Sequence, residues 1–164
     1  MRIGYGEDAH RLIEGRPLRL GGVAIPSERG PLAHSDGDAL LHALTDALLA
    51  AIGEGDIGTL FPDDDPENKN RPSRDFLRAA RERAEVAGYR VIQVSAVVIL
   101  DRPKLGPYRD PIRASVAELL GLSPDRVGLC FKTSEGLTPD HVQARAVVLL
   151  LPLHQPKAPV PKNT

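Results

Sequence analysis

The sequence predicts an α/β domain of the α+β sandwich kind. It has one mixed β-sheet with helices on one face and a second face that another surface must cover. Three observations carry this. Strand-like and helix-like segments follow one another in the order β, β-hairpin, α, loop, α, β, α, β, β, with no internal repeat. The three helical segments each stop on a glycine, at Gly53, Gly88 and Gly121. The run 91–100 is apolar on both sides and the run 142–151 nearly so, which does not suit a sheet with one face in water. A length of 164 residues fits one domain over 1–154 and leaves a tail, 155–164, whose three prolines and two lysines predict disorder.

Taken in order, Ile3 and Tyr5 alternate with glycines and predict a strand over 2–10. Leu18, Leu20, Val23 and Ile25 flank Gly21-Gly22, a hairpin signal. Over 36–52, Leu41, Leu44, Leu48 and Ala51 recur at helical spacing, with Ser35 or Asp36 as N-cap and Gly53 just past the end. Residues 54–72 show no period, and they carry Gly55, Gly58, Pro62, Pro66, Pro72 and the acidic run Asp63 to Asp65. They read as a long loop, functional or mobile. Ser73 is the expected cap of a helix to about Ala87 that turns Phe76, Leu77, Ala80 and Ala84 inward. Tyr89 to Leu100 is a strand, 101–107 a turn, and 109–120 a helix with Ile112, Val116, Leu119 and Leu120 on its apolar face. Strands are expected at 126–133 and 142–151.

Composition excludes several function classes. Aromatic residues are 4% of the chain, so the core is aliphatic. Lys plus Arg number 21 and Asp plus Glu 22, which excludes a binder of nucleic acid or anionic membrane acting by overall charge. Cys130 is the single cysteine, so there is no disulfide framework and no cysteine-based zinc site. The first residues lack an apolar leader and the longest apolar run, 146–151, is too short to span a bilayer; the expectation is a soluble cytoplasmic protein. Charge is uneven: residues 1–65 hold twelve acids and five bases, residues 66–164 ten acids and sixteen bases. An acidic part that holds cations and a basic part that holds anions is one reading, and chance distribution over solvated faces is the other.

Four clusters carry chemistry. Asp8 and His10 stand two apart on a strand and point the same way, as half of a metal site or as a polar pair at an exposed sheet end. Asp38, His42 and Asp46, four apart, form a polar stripe opposite the leucines, on the expected solvent side of the helix. His34, Ser35, Asp36 and Gly37 precede that helix, where free N–H groups favour an anion. Together Asp8, His10 and His42 have the composition of a catalytic zinc site with one open position. Lys132-Thr133-Ser134-Glu135-Gly136 leaves a strand as a turn able to hold a phosphate and, through Glu135, a divalent ion, or as an ordinary polar turn. Asp101 to Pro107 is a basic, proline-stiffened turn suited to a nucleobase edge or phosphate, or simply a rigid surface turn.

Gly6-x-Asp8-x-His10, Ala33-His34-Ser35-Asp36-Gly37-Asp38, His42-Ala43-Leu44-Thr45-Asp46-Ala47-Leu48-Leu49, Gly55-Asp56-Ile57-Gly58, Leu60-Phe61-Pro62-Asp63 and Lys132-Thr133-Ser134-Glu135-Gly136 stand in that order. In these motifs the chain, from residue 1 to about 151, resembles the 2-C-methyl-D-erythritol 2,4-cyclodiphosphate synthase family of the non-mevalonate isoprenoid pathway. The resemblance implies a homotrimer of α/β subunits with strands packed about the three-fold axis and active sites between subunits. It implies Zn²⁺ on Asp8, His10 and His42, with Asp8 and His10 also among the substrate contacts. His34 and Ser35 would hold phosphate. Asp56, Ile57, Gly58, Phe61, Pro62, Asp63, Asp64 and Asp65 would bind the methylerythritol moiety. Leu100, Asp101, Arg102, Pro103, Lys104, Leu105 and Gly106 would form the cytosine pocket. Lys132, Thr133, Ser134 and Glu135 would clamp the diphosphate from the adjacent subunit, with Glu135 on Mg²⁺ or Mn²⁺. His34 and Thr133 are taken as catalytic.

The implied substrate is 4-diphosphocytidyl-2-C-methyl-D-erythritol 2-phosphate. Its 2-phosphate attacks the β-phosphorus and CMP leaves. The chain departs from the family over Thr138 to Ala144, where a Phe and an Arg tied to an isoprenoid-diphosphate cavity on the trimer axis are absent, and at Phe131 and Lys132. Two rival readings are another zinc-dependent cyclase or phosphoesterase of nucleoside diphosphate derivatives, and a trimeric zinc scaffold without turnover. No nucleic-acid or membrane partner is expected.

Overall fold

The computed structural model describes residues 1–62, 65–68 and 71–153. Asp63, Asp64 and the 155–164 tail lie outside the described residues. The described residues form seven strands and four α-helices: β1 (Arg2–Glu14), β2 (Leu18–Leu20), β3 (Val23–Ile25), β4 (Arg29–Pro31), α1 (Ala39–Ile52), α2 (Ile57–Leu60), α3 (Ser73–Val86), β5 (Tyr89–Leu100), α4 (Arg109–Leu120), β6 (Val127–Lys132) and β7 (His141–Pro152). The main sheet runs β4-β1-β7-β5-β6 and β2-β3 form a separate hairpin. The β5–β6 pair is parallel and the other pairs antiparallel, so the sheet is mixed.

Burial alternates along β7: Val142, Ala144, Ala146, Val148 and Leu150 are buried, while the residues between them are exposed or half-buried. The buried side faces α1, α3 and α4, which meet β1 and β7, β5, and β6 respectively. Among the described residues the opposite face carries no helix, and it leaves Ile3, Tyr5 and Val147 exposed. That face is less apolar than expected. Gln93 and Ser95 on β5 and His141, Gln143 and Arg145 on β7 interrupt it, because the strand period puts them on the side opposite the core.

The contact that positions everything else is α1 on β1. Gly4 and Gly6 point at the helix, and a Cβ on either would stand 1.8 Å from the Ala47 carbonyl or 2.2 Å from that of Ala43. Two glycines facing Ala43, Ala47 and Ala51 let backbone lie on backbone. The leucines of α1, Leu40, Leu41, Leu44, Leu48 and Leu49, are fully buried, each contributing about 1.5–3 kcal/mol.

Local expectations met mixed outcomes. Gly53 and Gly121 cap α1 and α4 in the left-handed conformation, as their positions after the last periodic residue predict. The cap of α1 is Asp38, not Ser35 or Asp36: its Oδ1 accepts from the Leu41 N–H at 3.1 Å. The same carboxylate accepts from Gly21 and Gly22 at 2.9 and 2.6 Å, which ties the β2–β3 hairpin to the helix start. Ser73 does not cap α3. It is the first helical residue after Pro72 and its hydroxyl is directed elsewhere. The aperiodic stretch 54–72 contains the four-residue α2, with Asp56 as cap, and a 3₁₀ turn at Pro66–Asn68, both too short to show a period. β1 continues to Glu14 and pairs with β4, a strand of three residues that includes a glycine and a proline.

Candidate active site

The glycines of β1 and the site share a face of the strand. Gly4, Gly6, Asp8 and His10 are alternate residues and all point toward α1. The close approach at Gly6 brings the next turn of α1, bearing His42, over Asp8. His42 Nδ1 lies 3.0 Å and His10 Nε2 2.8 Å from the same oxygen, Asp8 Oδ2. The polar stripe on α1 is therefore not on the solvent side. Asp38 is fully buried, His42 nearly so, and Asp46 half-buried with its Oδ1 accepting from the Ile57 N–H at 2.8 Å, which holds the start of α2.

Two imidazoles and a carboxylate converge here, with one potential ligand atom from each within 4.8 Å of the others. His10 Nε2 is buried and close to Asp8, yet without the geometry of a hydrogen bond. A buried ring nitrogen left in this position fits a cation-binding role, and the donor set suits zinc or a related transition metal. Burial opposes charge on Asp8, but the two imidazoles close against it, His10 and His42, outweigh it and hold the carboxyl well below the usual range. Burial likewise pushes His42 down, and the hydrogen bond and charge of Asp8 outweigh it, so its pKa is raised.

The triad borders a cavity of about 310 Å³ whose wall includes His34, Ser35, Ile57, Gly58 and Phe61. Five residues assigned on separate motifs thus meet at one place. His34 is exposed and Ser35 buried. The α1 N-terminus is a weaker anion site than expected, since Asp38 takes the Leu41 N–H. Asp56 caps α2 by accepting from the Thr59 backbone and hydroxyl at 2.8 Å each. The Pro62 carbonyl accepts from Asn68 Nδ2 at 3.0 Å, and the Asp65 N–H donates to the Pro62 carbonyl at 3.2 Å. Leu32, Ala33, Asn68 and Phe76 also line the cavity. Asn68 had no signal in the sequence, and Phe76 read only as core. Phe76 stacks against Phe61 at 4.6 Å, with the Arg71 guanidinium 5.0 Å from the Phe61 ring.

The other predicted residues are elsewhere. Leu100, Lys104, Leu105, Gly106, Lys132 and Thr133 line a second cavity of about 340 Å³, with Arg109 lying 4.8 Å over the Phe131 ring. This cavity opens where the parallel strands β5 and β6 end together, Ile99 being paired with Lys132. Arg102 and Pro103 lie in a neighbouring depression with Arg29 and Pro139. Asp101 does not line the second cavity. Its Oδ1 and Oδ2 accept from the Ser134 N–H and hydroxyl at 2.5 and 2.9 Å, joining the two turns. The Thr133 hydroxyl donates to Glu135, which has a left-handed backbone at φ 54°. His10 pairs with Val142 and Val142 with Leu100, so the triad and the 132–135 turn lie near the same end of the sheet but three strand spacings apart, about 14 Å.

A model of the YgbB family matches residues 1–151. The chain is 65% identical over 150 residues to a 2-C-methyl-D-erythritol 2,4-cyclodiphosphate synthase of Thermus thermophilus, covering 92% of this chain and 99% of that one. It is 62% identical over 150 residues to that of Deinococcus radiodurans, covering 91% and 93%. A solved structure of such a synthase in its CDP-bound form superposes with a TM-score of 0.88 at 62% identity, covering 92% of this chain and all of that one. Among the described residues, no helix is long and apolar enough to cross a membrane.

Proposed function

The chain belongs to the YgbB family, and on that premise we propose that it converts 4-diphosphocytidyl-2-C-methyl-D-erythritol 2-phosphate into 2-C-methyl-D-erythritol 2,4-cyclodiphosphate and CMP. The observation that carries this is the convergence of Asp8, His10 and His42 beside a cavity walled by His34 and Ser35, in a chain so similar to named synthases.

The reaction is an intramolecular phosphoryl transfer. An oxygen of the 2-phosphate forms a bond to the β-phosphorus. The bond from that phosphorus to the bridging oxygen breaks, and CMP leaves with the oxygen and its electron pair. The obstacle is repulsion: two unit negative charges 4 Å apart cost about 4 kcal/mol at an effective dielectric of 20. Positioning and opposite charge are therefore the main needs. Zn²⁺ on Asp8, His10 and His42 would supply positive charge to phosphate oxygens. The His34 ring and Ser35 hydroxyl stand at that cavity to hold a phosphate, and His34 is assigned as catalytic with Thr133. Ile57, Gly58 and Phe61 shape the wall for the methylerythritol carbons, a role to which the sequence resemblance adds Asp56, Pro62, Asp63, Asp64 and Asp65. Lys132 offers a cation and Thr133 a hydroxyl to the diphosphate. The single carboxylate of Glu135 suits Mg²⁺ or Mn²⁺ shared with substrate phosphates. Backbone groups of residues 100–106 would read the cytosine.

Within one chain Lys132, Thr133 and Glu135 lie too far from the triad to meet the same phosphate. We therefore place the complete site between subunits of a homotrimer, with the uncovered sheet face, including Ile3, Tyr5 and Val147, at the assembly axis. Assay of CMP release and cyclic product, with and without chelator, tests the assignment. Both products, lost on chelation, are expected. Metal binding without turnover would leave a scaffold; hydrolysis without cyclisation would leave a phosphoesterase.

A further inference from the structure

We propose that Ser73 and Asp36 are a positioning pair that fixes the orientation and tautomer of His42. This rests on the reading that the triad holds a divalent cation. Ser73 is fully buried at the start of α3, and its hydroxyl oxygen lies 2.8 Å from His42 Nε2. The Ser73 hydroxyl donates to Asp36 Oδ1, and the Ser73 N–H donates to Asp36 Oδ2 at 3.2 Å. Asp36 also accepts from the Asp38 N–H at 3.3 Å, which anchors it to the loop before α1.

Counting protons gives the direction of the chain through Ser73. A serine hydroxyl has one proton, and an ionised carboxylate can only accept. With its proton given to Asp36, Ser73 can only accept from His42, so Nε2 carries the hydrogen. With a cation bound, the neutral ring then presents its lone pair to it at Nδ1, the nitrogen that faces Asp8 and His10 and that hydrogen-bonds Asp8 when no cation is there. Ser35 Oγ, 3.2 Å from Nε2 and itself accepting from the Gly37 N–H at 3.1 Å, is the more distant neighbour. A metal-bound imidazole needs its other nitrogen held in this way, and removal of such a partner commonly costs about 10- to 100-fold in metal affinity. Ser73 is 31 residues from His42 and is brought to it by the N-terminus of α3, where it meets Asp36 in the loop just before α1.

The test uses Ser73→Ala, which removes the acceptor, and Asp36→Asn, whose amide can donate to Ser73 and so let the serine proton turn to Nε2. Zinc affinity is read by competition with a chelator. The His42 tautomer is read by long-range ¹H–¹⁵N NMR in zinc-loaded protein. Thr45→Val, which removes another buried hydroxyl of the same region, is the control. The proposal expects hydrogen on Nε2 in the wild type and a loss of zinc affinity of at least about tenfold in Ser73→Ala. Asp36→Asn should lose affinity in the same direction, and Thr45→Val should bind as wild type. Hydrogen on Nδ1 in the wild type, or Ser73→Ala affinity within twofold of it, overturns the proposal. If Ser73→Ala does not fold, Asp36→Asn decides by the same criteria. Wild type that fails to bind zinc would refute the metal reading, whereas wild type that binds zinc no more tightly than Ser73→Ala overturns the pair alone.

Discussion

Replacing Gly6 by alanine should disable the metal site more than it destabilises the fold. The new Cβ would stand 2.2 Å from the Ala43 carbonyl oxygen, 2.5 Å from the Ala47 nitrogen and 2.9 Å from Asp46 Cβ, where real Cβ atoms keep at least 3.0 Å. The first contact is short by 0.8 Å and is made to backbone, so α1 has to lift off β1 as a body. Overpacking of this kind costs about 1–3 kcal/mol, which a domain with the usual stability of about 5–15 kcal/mol survives. The site does not share that tolerance. His42 directly precedes Ala43, and Asp8 is two residues along the strand from Gly6, so the lift is transmitted to the separation between these ligands. Ligand distances in metal sites hold to about 0.2 Å, a quarter of the required shift. Gly53→Ala is the matched control. At φ 78° a side chain is strained, by about 1–2 kcal/mol, but no atom lies within 4 Å of its Cβ and α1 stays in place. Denaturant unfolding of metal-free protein and chelator-competition titration should find both variants folded, with zinc affinity down at least about tenfold only in Gly6→Ala. A Gly6→Ala protein that binds zinc as tightly as Gly53→Ala would refute the claim that these glycines set the site.

The remaining predictions concern charge and assembly. Burial pushes His42 down and the Asp8 hydrogen bond and charge outweigh it, so its pKa lies above the ordinary 6.5. A proton then competes with the metal up to and beyond that pH. Zinc affinity should climb from about pH 6 to about pH 8, and a flat profile would contradict it. The same sign means that protonated His42 stabilises the metal-free protein below pH 6.5, a contribution lost as pH rises through the raised value. Asp101 is held below its ordinary 3.8 by hydrogen bonds from the Ser134 N–H and hydroxyl, so its hold on the 132–136 turn persists above that pH and is lost as pH falls through the lowered value. Asp101→Ala should raise KM for the cytidyl substrate by about tenfold, from loss of charge-assisted hydrogen bonds, with zinc affinity unchanged; an unaltered KM would show that the joint is idle. Finally, the inactive variants His42→Ala and Glu135→Ala should partly complement after dissociation and reassembly, since about a quarter of interfaces in a random mixture join two intact halves. Mixed trimers without activity would place the site within one subunit.

Much of this protein is legible in its sequence wherever the information is local. The spacing of Leu41, Leu44 and Leu48 gives α1, and Gly53 and Gly121 give the ends of α1 and α4, because period and left-handed caps depend only on near neighbours. Strand alternation puts Asp8 and His10 on one side, and motif resemblance joined them to His42. Several features depended on what packs against what. A polar stripe on a helix looks the same in sequence whether it meets water or a strand, and only the landing of α1 on Gly4 and Gly6 turned Asp38 and His42 inward. Asp38 rather than Ser35 became the cap because the hairpin glycines bring their N–H groups to it. Ser73 read as an ordinary cap, yet its hydroxyl lies between Asp36 and His42, 37 and 31 residues away. Period and capping were thus determined by the sequence itself, through interactions reaching a few residues. The pairing of polar groups was decided by the tertiary structure, since a donor and an acceptor far apart in the chain meet only after the apolar faces have packed.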